Sequence, residues 1–437
     1  MSAYPVRTLL FTALLALAAC GTPKNNGQPN NSKTNGAFQY LKSDRPRSTP
    51  DAQAKADATT LAQDNTAFAL DLYQHIRGQA GNLVLSPYSI SAALAMTWGG
   101  ARTATETDMA TTLHFSLPQD RLHPAFNALD QELASRAQQA ETEDGRGFAL
   151  HIVNSIWGEK DHPFLPSYLD LLAENYGAGL RLLDFAGAPD ASRQIINGWV
   201  SDETNARIKD LLPPGSILDT TMLVLVDAVY FNAAWAKPFE KGSTAPGTFH
   251  ALDGSSPSVQ MMSEGAELPY RSGAGWQAVE IPYEGDQLAM DVIVPDATHF
   301  SDYEGSFDAA AFQSVIASLQ PAEVDLTFPK FTFSSRLDKL TQQLQAMGMA
   351  SAFNGSADFS GMDGLHDLAL SQVIHEGFIA VDESGTEAAA ATAVTVVGSA
   401  AGGGNTVTLA VDRPFLFAIR DRGTGTVLFL GRVVNPS

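Results

Sequence analysis

From Leu61 onward, Leu61, Phe68, Leu72 and Ile76 recur at helical spacing with Ala69 and Tyr73 beside them, which predicts an amphipathic helix ending near Gly78. A second helix is predicted over "YSISAALAMTW": Ser86 can cap the free amides, Pro87 suits the first helical position, and Gly99-Gly100 ends the run. Further along, the apolar residues change period. The stretches Thr221 to Phe231, Leu288 to Pro295, Pro414 to Asp421 and Thr426 to Val434 are rich in β-branched and aromatic residues and read as strands. The last two flank "RGTG" and form a hairpin. Helices lead, strands follow, and no repeat or regular alternation is present, so the fold class is α+β with mostly antiparallel sheets.

Ahead of Leu61 the pattern differs. "LLFTALLALAAC" is an apolar run behind Arg7, too short to span a bilayer, and reads as an export signal over residues 1–19. Leu17-Ala18-Ala19-Cys20 resembles the bacterial lipobox, which implies lipidation at Cys20; the alternative is a plain signal peptide that happens to end in Cys. Gly21 in place of Asp implies the outer membrane in a host with two membranes. The Gly, Asn, Pro and Lys tract that follows has little to bury, so residues 20–60 read as a flexible tether and 61–437 as the folded domain. Cys20 is the single cysteine, so with lipid attached no disulfide can form and packing alone must stabilise the exported domain. With 27 basic against 48 acidic residues the net charge is −21, which argues against nucleic acid or an anionic membrane surface as partner. No G-x-S-x-G elbow, H-E-x-x-H, P-loop or complete G-x-G-x-x-G occurs, and the nine histidines lack paired metal spacing. The expectation is a protein that is not an enzyme, with no cofactor and no metal.

"GTEAAAATAVTVVGSAAGGGN", Gly385 to Asn405, fits neither a core nor an ordinary solvated loop. Its alanines could open a helix behind Glu387, or the whole could be a linker. As a strand, Thr386, Ala388, Ala390, Thr392, Val394 and Val396 would share one small, apolar face, with Glu387 on the other.

Several segments, in order, resemble the serpins: "NLVLSPYSISAAL", "INGWVSDETNARIKDLL", "LVLVDAVYFNAAWAKPF", "FPKFTF", "VDESGTEAAAATA" and "DRPFLFAIRDRGTGTVLFLGRVVNP". Together they cover nearly all of residues 61–437. The resemblance implies a single large domain with an exposed reactive-centre loop at about 383–410, and inhibition of a serine protease through a covalent acyl-enzyme followed by loop insertion into an existing sheet. Some members also trap cysteine proteases, and the inhibitor is expected to act as a monomer. The hinge would be Glu383, Gly385, Thr386, Glu387, Ala388, Ala389, Ala390 and Ala391, free of bulky residues as in working inhibitors. The scissile bond would be Ser399-Ala400, with Gly398-Ser399 and Ala400-Ala401 left open. Every choice offers a small side chain, which implies an elastase-like or subtilisin-like target. Lys330, Glu383 and Trp235 match residues at the sheet's upper opening; each could instead be an ordinary surface ion or core tryptophan. Ser86, Ser89 and His375 match the polar cluster beneath the sheet's middle. Asp227 departs from the family's Asn there, and an Asp-His pair is expected to make opening pH-sensitive between about pH 5 and 7. The rival reading is a member that binds or stores without inhibiting, whose hinge should be spoiled.

Overall fold

The structure is a computed structural model that describes residues 32–34, 37–139, 149–386 and 406–437. Among the described residues, one eight-stranded sheet comprises β1 (Ser32–Thr34), β2 (Gln39–Leu41), β3 (Ala149–Glu159), β4 (Leu180–Leu183), β5 (Leu223–Ala234), β6 (Phe331–Arg336), β7 (Leu370–Val381) and β8 (Gly385–Thr386). Its spatial order is β1-β2-β4-β3-β5-β8-β7-β6. A second, nine-stranded sheet includes Leu288–Pro295 and the hairpin Phe415–Asp421 with Val427–Val433. Most pairings in both sheets are antiparallel; β3 with β4 and β5 with β7 run parallel in the first, and Gln320–Pro329 with Val407–Ala410 in the second.

Six helices precede most of the strands: α1 (Ala52–Ile76), α2 (Pro87–Trp98), α3 (Thr103–Thr112), α4 (Gln119–Gln139), α5 (Pro166–Tyr176) and α6 (Pro189–Glu203). Helix α2 is buried on every side, as expected of a helix without a polar face. It lies beneath the large sheet, where Leu225, Val229 and Phe231 of β5 join the main core. The alternate residues Val224, Val226 and Ala228 face Ile196 and Val200 of α6, so the middle of this sheet is covered on both sides. No helix among the described residues is long and apolar enough to cross a membrane.

The fold starts earlier than the sequence predicts. Residues 37–60 were expected to belong to the tether, yet β2 pairs antiparallel with β4 and α1 opens at Ala52, capped by Asp51 Oδ1 accepting from the Ala54 amide at 2.8 Å. Polar anchors hold this segment down where apolar residues are few. Arg47 donates to Asn127 Oδ1 at 2.8 Å and to Asp130 Oδ2 at 2.7 Å on α4, and the Ser48 amide reaches Glu174 O on α5 at 2.8 Å. Arg181 of β4 lies against the rings of Phe38, Tyr40 and Trp157 and 4.3 Å above that of Trp199 on α6.

Candidate functional site: the seam of the large sheet

Strands β5 and β7 meet in two ways along one seam. Below, they pair directly and in parallel, Leu370 opposite Leu223 through Phe378 opposite Tyr230. At the top the two-residue β8 sits between them, antiparallel to both: Thr386 stands opposite Val381 on one side and Ala233 on the other. A turn feeds β8 into place, with the Asp382 amide donating to Gly385 O at 2.9 Å and the Ser384 amide to Asp382 Oδ1 at 2.7 Å. Gly385 is required by close approach. A Cβ there would lie 2.1 Å from Ala233 O and 2.7 Å from Ala234 Cα.

Three of the expected residues converge at this mouth. Trp235 is fully buried, stacked on Tyr283 at 4.6 Å between centroids, and its amide and indole N–H donate to Ser384 O and Asp382 O at 2.9 and 3.0 Å. Lys330 Nζ lies 2.6 Å from Glu383 Oε2, and Thr244 Oγ1 donates to Glu383 Oε1 at 2.8 Å. Burial opposes ionisation of Glu383, but the Lys330 and Thr244 hydrogen bonds outweigh it and hold the carboxyl below its usual value. The Thr386 side chain is fully buried and its hydroxyl lies 2.7 Å from that of Tyr283, whose own ionisation burial pushes up.

Halfway down the seam the structure brings together Ser86, Ser89, Asp227 and His375. His375 and Asp227 are direct partners across the β5–β7 pairing, both with no exposed side chain, and His375 Nδ1 lies 3.2 Å from Asp227 Oδ1. The Ser86 amide donates to His375 Nε2 at 3.1 Å, which makes that nitrogen the acceptor. Ser89 Oγ reaches Asp227 Oδ1 at 2.7 Å and Asn154 Oδ1 at 2.9 Å. His375 Nδ1 and Asp227 Oδ2 make no properly aligned hydrogen bond. Asn154, Tyr283 and Thr244 are the participants that sequence reasoning missed. Each meets its hydrogen-bond partner from at least 65 positions away, and nothing local marks it. Glu387, Ala388, Ala389, Ala390, Ala391, Ser399, Ala400 and Cys20 lie outside the described residues.

A family profile for Serpin (serine protease inhibitor) matches residues 63–436. The chain belongs to the serpin family. It is 36% identical over 430 residues to an uncharacterised serpin-like protein of Thermococcus kodakarensis, covering 98% of each chain. To the leukocyte elastase inhibitor of Xenopus laevis it is 36% identical over 386 residues, covering 86% of this serpin and 99% of that protein. Among solved structures, the thermophilic serpin tengpin in its native state superimposes with a TM-score of 0.77 at 26% identity, covering 90% and 97% of the two chains. Uncleaved ovalbumin does so with a TM-score of 0.76 at 28% identity, covering 86% and 100%. Serpins as a family are protease inhibitors and bind proteases as partners; the α+β serpin fold is thereby established for this chain.

Proposed function

We propose that this serpin inhibits serine proteases with shallow specificity pockets, elastase-like or subtilisin-like, by offering the loop beyond Thr386 as a substrate and inserting it into the large sheet once cut. One observation carries the reading: β8 is seated between β5 and β7 in antiparallel register on both sides, at the mouth of a seam otherwise closed by their direct pairing. In the trapping step the protease serine oxygen bonds to the carbonyl carbon of Ser399. The Ser399–Ala400 peptide bond breaks, the Ala400 amine leaves with a proton, and an ester joins the two proteins.

The two registers define what insertion must do. Continued residue by residue, they bring Val397 opposite Leu370 on β7 and Val396 opposite Leu223 on β5, so the twelve residues of β7 accommodate the loop to within two residues of the proposed cleavage point. Ala388, Ala390, Val394 and Val396 would then stand on the core face of the sheet, opposite Phe231, Val229, Leu225 and Leu223. Thr392 would come between Asp227 and His375, replacing an incompletely satisfied polar contact with a hydroxyl that can both donate and accept. The small pocket follows from the small residues around position 399, and a relative named as a leukocyte elastase inhibitor supports it.

The test is incubation with elastase-like and subtilisin-like proteases, with detection of a denaturant-resistant adduct of one serpin and one protease. The cleaved chain should also melt at a higher temperature than the intact one. Prompt loop cleavage with no adduct and no gain in melting temperature would return the chain to a non-inhibitory role. For the segment ahead of the domain the same proposal includes export and lipid attachment at Cys20. Incorporation of labelled palmitate that disappears in Cys20→Ser is the expected result.

A further inference from the structure

We propose that His162, Asp363 and Asp367 form a binding site for one divalent transition-metal ion of the Zn²⁺ or Mn²⁺ type, at the end of the large sheet opposite the mouth of the seam. His162 Nε2 lies 2.9 Å from Asp363 Oδ2 and 4.0 Å from Asp367 Oδ1, and one ligand atom of each residue falls within 4.8 Å of the other two. A ring nitrogen carries at most one hydrogen, so it can satisfy only one of the two carboxylates that converge on it. An ion seated among the three would engage all of them and remove the repulsion between the carboxylates. One imidazole with two carboxylates suits Zn²⁺ or Mn²⁺ better than the all-oxygen preference of Ca²⁺ or Mg²⁺.

The scaffold is prepared for this. Asp363 Oδ1 accepts from the Leu365 amide at 2.7 Å, which fixes the carboxylate and aims Oδ2 at the imidazole. The Leu165 amide donates to Met362 O at 2.7 Å and holds the two chain segments side by side. His162 and Asp363 are nearly enclosed, with side chains 8% and 0% exposed, whereas Asp367 is 57% exposed and free to swing inward. Sequence spacing could not reveal the cluster, because about 200 residues separate its imidazole from its carboxylates.

The location gives the ion a consequence. His162 follows the end of β3 and Asp367 precedes the start of β7, so the ion joins chain segments on opposite sides of the seam that insertion must open. Occupancy should slow insertion. That consequence rests on the inhibitory reading; binding itself does not.

Titration calorimetry of the full chain with ZnCl₂, and separately MnCl₂, tests binding without reference to any protease. Saturation at one equivalent is expected, weakened by about tenfold or more in Asp367→Asn and lost in His162→Gln. Asp367→Asn should leave the melting temperature of the metal-free chain unchanged, because its side chain is exposed, so the comparison stands even where His162→Gln disturbs folding. His114→Ala, which removes the exposed imidazole beside Asp71, should leave binding intact. Absence of saturable binding at millimolar metal, or binding untouched by Asp367→Asn, would overturn the site. Binding without any slowing of adduct formation would overturn its consequence for insertion while leaving the inhibitory reading to the adduct assay.

Discussion

Substituting Asp227 by Asn should stabilise the intact chain. The carboxylate is completely enclosed, and only Oδ1 has good company: the Ser89 hydroxyl at 2.7 Å and the His375 ring nitrogen at 3.2 Å. Oδ2 is buried without a hydrogen-bond partner. A buried charge with half of its acceptor capacity unmet costs several kcal/mol, partly recovered here through Ser89 and His375. Asn keeps the Oδ1 acceptor and nearly the same shape while removing the charge, at the expense of an amide N–H₂ placed where Oδ2 lacked a partner. The unmet neutral amide costs about 1–3 kcal/mol, less than the charge it replaces, so the net gain should be on the order of 1–2 kcal/mol. For about 400 residues unfolding at about 2.1 cal/mol/K each, that corresponds to a rise in melting temperature of roughly 1–3 °C. Scanning calorimetry of intact parent and variant at one scan rate measures it. The cleaved forms should differ less, since Thr392 is expected to supply the missing donor there. A variant that melts lower than the parent, or at the same temperature, would refute the argument and mean that Asp227 is not carrying an uncompensated charge.

Three further outcomes follow from the same contacts. Because the Glu383 carboxyl is held below its reference value of 4.5, its ion pair contributes stability above that value and loses it as pH falls through the lower folded-state value. Glu383→Gln should therefore flatten the acid limb of the melting curve below about pH 4.5, at a cost near neutrality of only about 1 kcal/mol because Lys330 is one-third exposed. Gly385→Ala should eject β8 from the mouth, visible as a shift of tryptophan emission as the Trp235 indole loses the Asp382 carbonyl, with about 1–3 kcal/mol of lost stability. Arg47→Ala should cost about 1–2 kcal/mol and expose residues 37–50 to limited proteolysis; an unchanged digestion pattern would mean that β2 and the other anchors, Ser48 and Arg45 among them, hold the segment without Arg47.

What the sequence disclosed depended on whether a feature was local. The strand Leu288–Pro295 and the helix Pro87–Trp98 were legible to the residue, because apolar runs, a serine cap and a proline are neighbours in the chain. The long strand Ser258–Gly273 was not singled out, since Glu264, Glu267 and Arg271 on it obscure the apolar alternation. The beginning of α1 was hidden because Ala54 and Ala58 are small and its buried Asp57 is held by Arg121, 64 positions away. At the site, resemblance supplied Ser86, Ser89, Lys330, Trp235 and His375, but no spacing rule could have placed Asn154 beside Ser89 or Tyr283 beneath Thr386.

The seam also explains why its composition violates the usual preference for an apolar sheet interior. β5 is buried along almost its entire length, and an uninterrupted row of Val and Leu facing β7 would favour permanent closure. Asp227 interrupts that row at the level where His375 interrupts β7, and the pair leaves two buried polar atoms unsatisfied. Each such atom raises the free energy of the closed seam relative to one in which an inserted strand can supply donors and acceptors. The closed sheet is thus weakest at its midpoint, six or seven residues below the place where β8 already holds the strands apart, so separation begun at the mouth has only a short closed stretch to cross before reaching a point that favours opening.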